Sequence, residues 1–313
     1  MAHIPVIAGS YYDTKKLRAR FEEEISLLAQ WQSANNPTDG QDAVGAAQPF
    51  YIAYQEQNNK DLLSKCGELC TSAMFRWQQN NNISSVRPGL KLSSEIHLGI
   101  ISAHISSHPV WNAIVKGWFQ QLDKNRFKLH VFYLGERQDK ETEFAKKVSH
   151  EFTHGLKGLK EWAATIADRE LDALIYPELG MNPLAARLAG MRLAPVQIAT
   201  WGHPETTGLS TIDYFLSAEE LEPAKAQDNY TEQLIRLPHL GCYYDPGDAT
   251  GDDIDLRELG IRTEDPLLIC PGTPFKYVPQ HDHVFVDIAR RLGKAQFIFF
   301  TNKRSPLLSE KLH

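Results

Sequence analysis

The sequence predicts an α/β protein: a helical N-terminal region, a Rossmann-like doubly wound domain, and the beginning of a second Rossmann-like domain. Three observations carry that reading. Residues 1–92 show apolar spacing of the helical kind, short apolar runs alternate with amphipathic segments from Glu95 to Pro238, and the alternation starts afresh at Leu267.

In the first region Leu17, Phe21, Ile25, Leu28 and Trp31 recur at helical intervals. A polar, Gly-containing break from Ser33 to Ala47 follows, then a second helical run from Asp61 to Trp77. The tract Gln78-Gln-Asn-Asn-Asn82 suits a loop. No repeat of solenoid length is visible.

Residues 93–244 read as the first Rossmann-like domain. Strands are expected at Ile96–Ser102, Phe127–Leu134, Leu171–Tyr176 and Val196–Trp201, with a second short strand in Ile212–Ser217 and a closing one at Leu234–Pro238. Helices are expected at Trp111–Leu122, Lys140–Val148, Leu159–Ala167 and Pro183–Ala189. Short apolar strands separated by amphipathic helices imply a parallel sheet covered on both faces. Residues 245–262, polar with a short helix, read as a linker. Residues 263–313 then supply one βαβ unit: strand Leu267–Cys270, a turn Pro271-Gly-Thr-Pro-Phe-Lys276, helix His281–Leu292 and strand Gln296–Phe300. About 50 residues rarely build an independent core, so this second domain is expected to be incomplete.

Composition narrows the class. With 313 residues, 42% of them apolar, the chain can bury a substantial core, and the net charge of -6 comes without a Lys/Arg cluster, which argues against nucleic acid as a partner. No apolar run approaches a membrane span, and the start Met1–Ser10 lacks the features of a secretory signal, so a soluble cytoplasmic protein is expected. The four cysteines, Cys66, Cys70, Cys242 and Cys270, are too sparse for a disulfide framework and lack a second ligand pair for a metal, so no metal site is expected.

The most informative stretch is Arg192-Leu-Ala-Pro-Val-Gln-Ile-Ala-Thr-Trp-Gly-His-Pro-Glu-Thr-Thr-Gly208 running into Ile212-Asp-Tyr-Phe-Leu-Ser217. It reads as a buried strand, a Gly/Pro-rich turn crowded with polar groups, and a second strand. Such turns lift functional side chains onto a rigid rim.

Together with Leu98-Gly-Ile-Ile-Ser-Ala-His-Ile-Ser-Ser-His-Pro109 and Pro271–Lys276, and with Phe50-Tyr-Ile-Ala-Tyr54 ahead of them, this stretch resembles glycosyltransferase family 41. That family holds the O-GlcNAc transferases and bacterial glucosyltransferases that modify asparagine in adhesins. The resemblance runs from about residue 49 to the end. It implies a GT-B architecture of two Rossmann-like domains, a UDP-sugar donor such as UDP-GlcNAc or UDP-glucose, no other cofactor, and a protein or peptide acceptor modified at Ser, Thr or Asn.

His108, between a strand and the helix near Trp111, lies where open α/β sheets bind ligands and can exchange a proton near pH 7. The resemblance makes it an active-cleft acid/base or positioning residue, and a plain helix-start residue is the alternative. His104, four residues earlier, stands where animal enzymes carry an acidic residue. Lys276 matches the family lysine that contacts the donor diphosphate, where an ammonium would offset charge on the leaving group, and Thr273 stands where relatives place a polar donor contact. His203, Glu205, Thr206 and Thr207 are candidates to line the cleft or to fix the turn structurally. Glu178, at a strand's carboxyl end, is a further cleft candidate, Asp213 reads rather as a loop anchor, and Trp111 as core. Metal independence is implied by the lack of an Asp-x-Asp loop, since Asp252-Asp253 falls in the linker. The family's diphosphate-binding helix has no counterpart after Thr301–Ser305, so the chain as given is expected to be a C-terminally truncated fragment that holds donor weakly. Two other readings stand beside transfer: a non-catalytic protein-binding module, and a GT-B-fold nucleotide-sugar epimerase.

Overall fold

The computed structural model describes residues 11–35, 40–47, 49–87, 89, 94–246, 251 and 253–300. The segments Met1–Ser10 and Thr301–Ser305, and Asp252 in the linker, lie outside the described residues. The chain divides into two compact units. One comprises residues 24–50 and 57–245. The other gathers Tyr51–Glu56 with the first turns of the N-terminal helix and the described residues from Pro246 onward.

Two long helices come first, α1 (Tyr11–Asn35) and α2 (Lys60–Asn80), with 3-10 turns at Gln41–Ala43 and Phe50–Gln55 between them. Both helices overrun the expected ends. The polar residues Gln78–Asn80 stay in α2 because Gln78 is buried and its Nε2 donates to the Ser84 carbonyl at 3.1 Å, which gives a polar side chain a reason to remain helical.

The first unit is built on a seven-stranded, all-parallel sheet of β1 (Ile96–Ser102), β2 (Phe127–Tyr133), β3 (Glu151–His154), β4 (Ala173–Tyr176), β5 (Val196–Thr200), β6 (Tyr214–Ala218) and β7 (Gln233–Leu237). Their order is β3-β2-β1-β4-β5-β6-β7, so the chain leaves β1 in one direction and returns past it to β4. The strand β3 was not expected. Its four residues are half-exposed and carry no apolar run, and the Arg169 guanidinium grips Glu151 with Nε at 2.8 and 2.9 Å from the two carboxylate oxygens.

Alternate strand residues feed two cores, as pleating requires. Ile101, Phe132, Leu174 and Tyr176 pack with α2, α5 (Gly158–Ala167) and α6 (Pro183–Ala189) on one face. Ile100, Val131, Tyr133 and Ile175 pack on the other face with Trp111, Ile114 and Phe119, which belong to a helix entered through a π-helical turn (Trp111–Val115) and continued as α3 (Lys116–Gln121). Trp111 is fully buried, and Ala145 of α4 (Lys140–Val148) joins this face.

In the second unit β8 (Leu267–Cys270) and β9 (Gln296–Phe299) pair in parallel, connected through α7 (Asp282–Leu292). Phe299 of β9 meets Tyr277 and Phe285 edge to face, and Phe285 meets Phe297 in the same way. The short helix expected in the linker is a turn at Asp255–Gly260, closed by the Glu258 N–H to the Asp255 carbonyl at 3.2 Å. No helix among the described residues is long and apolar enough to cross a membrane.

Candidate functional site

In an open parallel sheet the carboxyl ends of the two strands flanking the order reversal splay apart and leave room for a ligand. Here those strands are β1 and β4. Glu178, just past β4, is 1% exposed, and its Oε1 accepts from Ser102 Oγ at 2.8 Å and from the Ala103 N–H at 2.7 Å, both at the end of β1. Ser102 Oγ in turn accepts from the His104 N–H at 2.9 Å. One buried carboxyl therefore holds the start of the turn that carries both histidines. Burial pushes the Glu178 pKa up to about 8, against the pull of those hydrogen bonds, so the group is protonated at neutral pH. Its second oxygen, Oε2, is buried without a hydrogen-bond partner.

The far side of that turn is held from α4. Asp139 caps α4 through the Glu141 and Thr142 N–H groups, and its Oδ2 accepts from the Ser107 N–H at 2.9 Å. Thr142 Oγ1 donates to the Ile105 carbonyl at 2.6 Å. Within this frame the His104 and His108 rings stack, with centroids 3.8 Å apart and an interplanar angle of 11°. Burial, and then the charge of His108, lower the His104 pKa to about 4; burial and Arg137 lower that of His108. Both are neutral at pH 7. His108 Nδ1 accepts from the Val110 N–H at 3.2 Å, which puts its ring proton on Nε2. In this tautomer the free edge of His108 is a hydrogen-bond donor.

The turn after β5 has two parts. His203 is 8% exposed and tilts against Phe50 with ring centroids 4.9 Å apart. It presses so closely on Gly180 that a Cβ there would lie 3.0 Å from His203 Cδ2, and Gly180 has φ of 95°, which favours glycine a second time. Burial lowers the His203 pKa to about 4. Thr206 and Thr207, by contrast, spend their hydroxyls on the buried Glu232: Thr206 Oγ1 donates to Oε2 at 2.6 Å, and the Thr207 N–H and hydroxyl both reach Oε1. Glu205 accepts from Asn59 Nδ2 at 2.7 Å, tying the turn to the start of α2. Asp213 anchors as its position suggests, its Oδ2 accepting from Arg192 at 2.6 Å and from the Gln197 N–H at 2.7 Å.

The structure thus brings His104, His108 and Glu178 together around the β1 and β4 ends, and it ties Thr206 and Thr207 to Glu232 ahead of β7 and Glu205 to Asn59 at the start of α2. Ser102 and Glu232, which organise these two groups, carried no signal of their own in the sequence. Their partners are 76 and 26 residues away, and only strand register joins them.

In the second unit Thr273 and Lys276 lie exposed on the 3-10 turn Pro274–Lys276, closed by the Lys276 N–H to the Thr273 carbonyl at 2.9 Å. Between them Phe275 packs edge-on against Tyr51 and Tyr54, at 5.4 and 5.2 Å. The aromatic anchor leaves the lysine side chain in solvent.

Residues 50–248 match the sequence model of glycosyl transferase family 41. Over 213 residues the chain is 24% identical to a probable UDP-N-acetylglucosamine–peptide N-acetylglucosaminyltransferase, SEC, of Arabidopsis thaliana, covering 63% of this chain and 21% of that protein. It is 29% identical over 159 residues to the corresponding SPINDLY protein of Solanum lycopersicum, covering 49% of this chain and 17% of that one. Among solved structures, a mutant O-GlcNAc transferase of Thermobaculum terrenum matches with a TM-score of 0.66 at 18% identity, over 97% of this chain and 58% of that chain, a likeness of GT-B fold. The chain spans about a fifth of the length of these curated relatives. With more than half of its residues inside the family match, the chain belongs to glycosyl transferase family 41.

Proposed function

We propose that this protein transfers a sugar from a UDP-sugar, UDP-GlcNAc or UDP-glucose, to a Ser, Thr or Asn side chain of a protein or peptide, in the cytoplasm. The observation that carries the reading is the stacked His104–His108 pair, held by Glu178 at the sheet's reversal point inside the family match. In the proposed reaction the acceptor heteroatom bonds to the anomeric carbon as the bond to the β-phosphate oxygen breaks, leaving that electron pair on UDP and releasing the acceptor proton to UDP or water.

Each residue has a proposed part. His108, donating from Nε2, orients an oxygen of substrate, and His104 fixes its ring. Lys276 offsets charge on the departing diphosphate, with Thr273 beside it.

Labelled UDP-sugars, offered as a panel with acceptor peptides to this chain and to a chimera carrying a relative's sequence from Pro246 onward, test the proposal. Transfer by either supports it, and no transfer from any donor overturns it. Calorimetric titration with UDP separates this reading from a non-catalytic binding module, which would give no heat.

A further inference from the structure

The segment that follows β2 is pressed against the turn that carries His104 and His108. A Cβ on Gly135 would lie 2.3 Å from the Ala103 carbonyl oxygen, so glycine is what lets the two backbones approach. The Gly135 carbonyl accepts from His154 Nε2 at 2.8 Å, and the Arg137 carbonyl accepts from the Tyr133 hydroxyl. Tyr133 is fully buried, and its ring stacks on that of His154 with centroids 5.2 Å apart. The backbone of Arg137 is therefore set by its neighbours and not by its own side chain.

The guanidinium still has a defined place. Arg137 Nη1 donates to the Ser107 carbonyl at 3.4 Å, and Nε lies 3.4 Å from Oδ2 of Asp139, the carboxylate that also holds the Ser107 N–H. These contacts lay the group on the residue before His108, close enough that its charge helps to hold the His108 pKa down. The side chain is nevertheless 67% exposed, and Nη2 makes no hydrogen bond to another described residue. On the same turn His108, in the tautomer set by Val110, presents its Nε2–H.

These groups select a partner by chemistry. A guanidinium edge and an imidazole N–H supply only donors, so they fit an oxyanion and not an ammonium. Asp139 already offsets much of the arginine charge, which leaves little to balance a doubly charged phosphate. A carboxylate carries a single charge, and its two oxygens match the planar fork. An extended peptide advances about 3.3 Å per residue, so a carboxylate on Arg137 belongs to a side chain within about two residues of one that reaches His108.

We propose that Arg137 is a specificity-determining residue, binding the Asp or Glu side chain of a peptide whose Ser, Thr or Asn lies at His108. The role given to that peptide rests on the transfer reading, but the binding itself needs neither donor nor turnover.

The experiment titrates the full chain with acetylated and amidated peptides that carry a central Ser with Asp about two residues to either side, and with their Asn isosteres, followed by calorimetry and by the ring resonances of His108. The Asp peptide is expected to bind about fivefold tighter, the upper end for an exposed ion pair. It should raise the His108 midpoint by placing a negative charge nearby, which the Asn peptide does not do. The preference should shrink in about 1 M salt. Arg137→Gln should erase it and Arg137→Lys should restore part of it. In the free chain Arg137→Gln should also raise the His108 midpoint, which checks the position of the guanidinium, and the peptide-induced shift in the unaltered chain stands even if the variants do not fold. Inorganic phosphate and UDP are the competing oxyanions. Binding of either that depends on Arg137, with no preference for the Asp peptide, assigns the guanidinium to the donor and overturns the proposal. Equal binding of the Asp and Asn peptides, a preference that survives Arg137→Gln, or binding of neither peptide overturns it as well. Sugar transfer to a neutral Ser peptide is read separately, so the transfer reading can stand where this proposal fails.

Discussion

Glu178 Oε1 accepts a hydrogen bond from Ser102 Oγ at 2.8 Å, across the boundary between β4 and β1 where the sheet reverses its winding. The carboxyl is neutral near pH 7 because its pKa is raised from 4.5 to about 8. Below about 4.5 it is protonated in folded and unfolded chains alike, and the folded state keeps its full advantage. Between about 4.5 and 8 only the unfolded chain ionises, so stability falls as pH rises, by about 5 kcal/mol at most. Glu178→Gln keeps an oxygen for Ser102 and Ala103 but cannot titrate. The difference in urea midpoint between the two proteins should therefore change steadily from pH 4.5 to 8 in favour of the glutamine. Parallel curves over that range would show that Glu178 is not a buried neutral acid.

The stacked histidines carry the opposite sign. A base whose folded pKa is depressed contributes stability above its unfolded value of 6.5 that is lost as pH falls toward the folded one, here about 4 for His104. Ring resonances of His104 should stay in the neutral form down to about pH 4. His108→Ala should move the His104 midpoint upward, because it removes the neighbouring positive charge and opens the ring to water. A His104 midpoint near 6.5 in the unaltered chain would mean that the stack does not exclude water.

Gly67 on α2 meets the turn after β5 backbone to backbone: a Cβ at Gly67 would lie 1.9 Å from the Gly208 carbonyl oxygen. In a free helix Gly→Ala stabilises by roughly 0.5–1 kcal/mol. Here the same change must push the Gly208 turn away and should cost roughly 1–3 kcal/mol instead. Glu68→Ala, one residue along and exposed, is the control and should be near neutral. Thermal melts of the two variants decide the matter, and a stabilised Gly67→Ala would show that the close approach is not present in solution.

Strand β1 was legible because its last five residues, Leu98–Ser102, are buried on both faces, and a run of apolar and small residues that short points to a strand rather than a helix. Strand β3 was not, since its pairing with β2 comes from position in the sheet and its sequence, Glu-Phe-Thr-His, has no face to hide. The π-helical turn at Trp111–Val115 reads locally as any amphipathic helix. The same divide runs through the candidate site. His104 and His108 stand out because two histidines beside a strand end are conspicuous in one short segment. Ser102 is an ordinary strand residue until register sets it 2.8 Å from a carboxyl 76 residues later. Thr206 and Thr207 look like ligands to solvent or substrate until Glu232, buried just before β7, takes both hydroxyls.

Lys276 separates function from stability more cleanly than any other candidate. It is exposed on a turn whose shape comes from Pro274, the Thr273 carbonyl and the Phe275 ring between Tyr51 and Tyr54, none of which needs the ammonium. Lys276→Ala should therefore shift the unfolding midpoint by no more than about 0.5 kcal/mol. If the ammonium stabilises the leaving diphosphate as proposed, the same change should lower sugar transfer about 10²–10³-fold, the effect of removing one preorganised charge-stabilising donor. Lys276→Arg keeps the charge but replaces a compact ammonium with a planar fork, so it should recover UDP binding more fully than rate. Transfer of labelled sugar by Lys276→Ala at the unaltered rate would remove the residue from the diphosphate and leave it a solvated turn lysine.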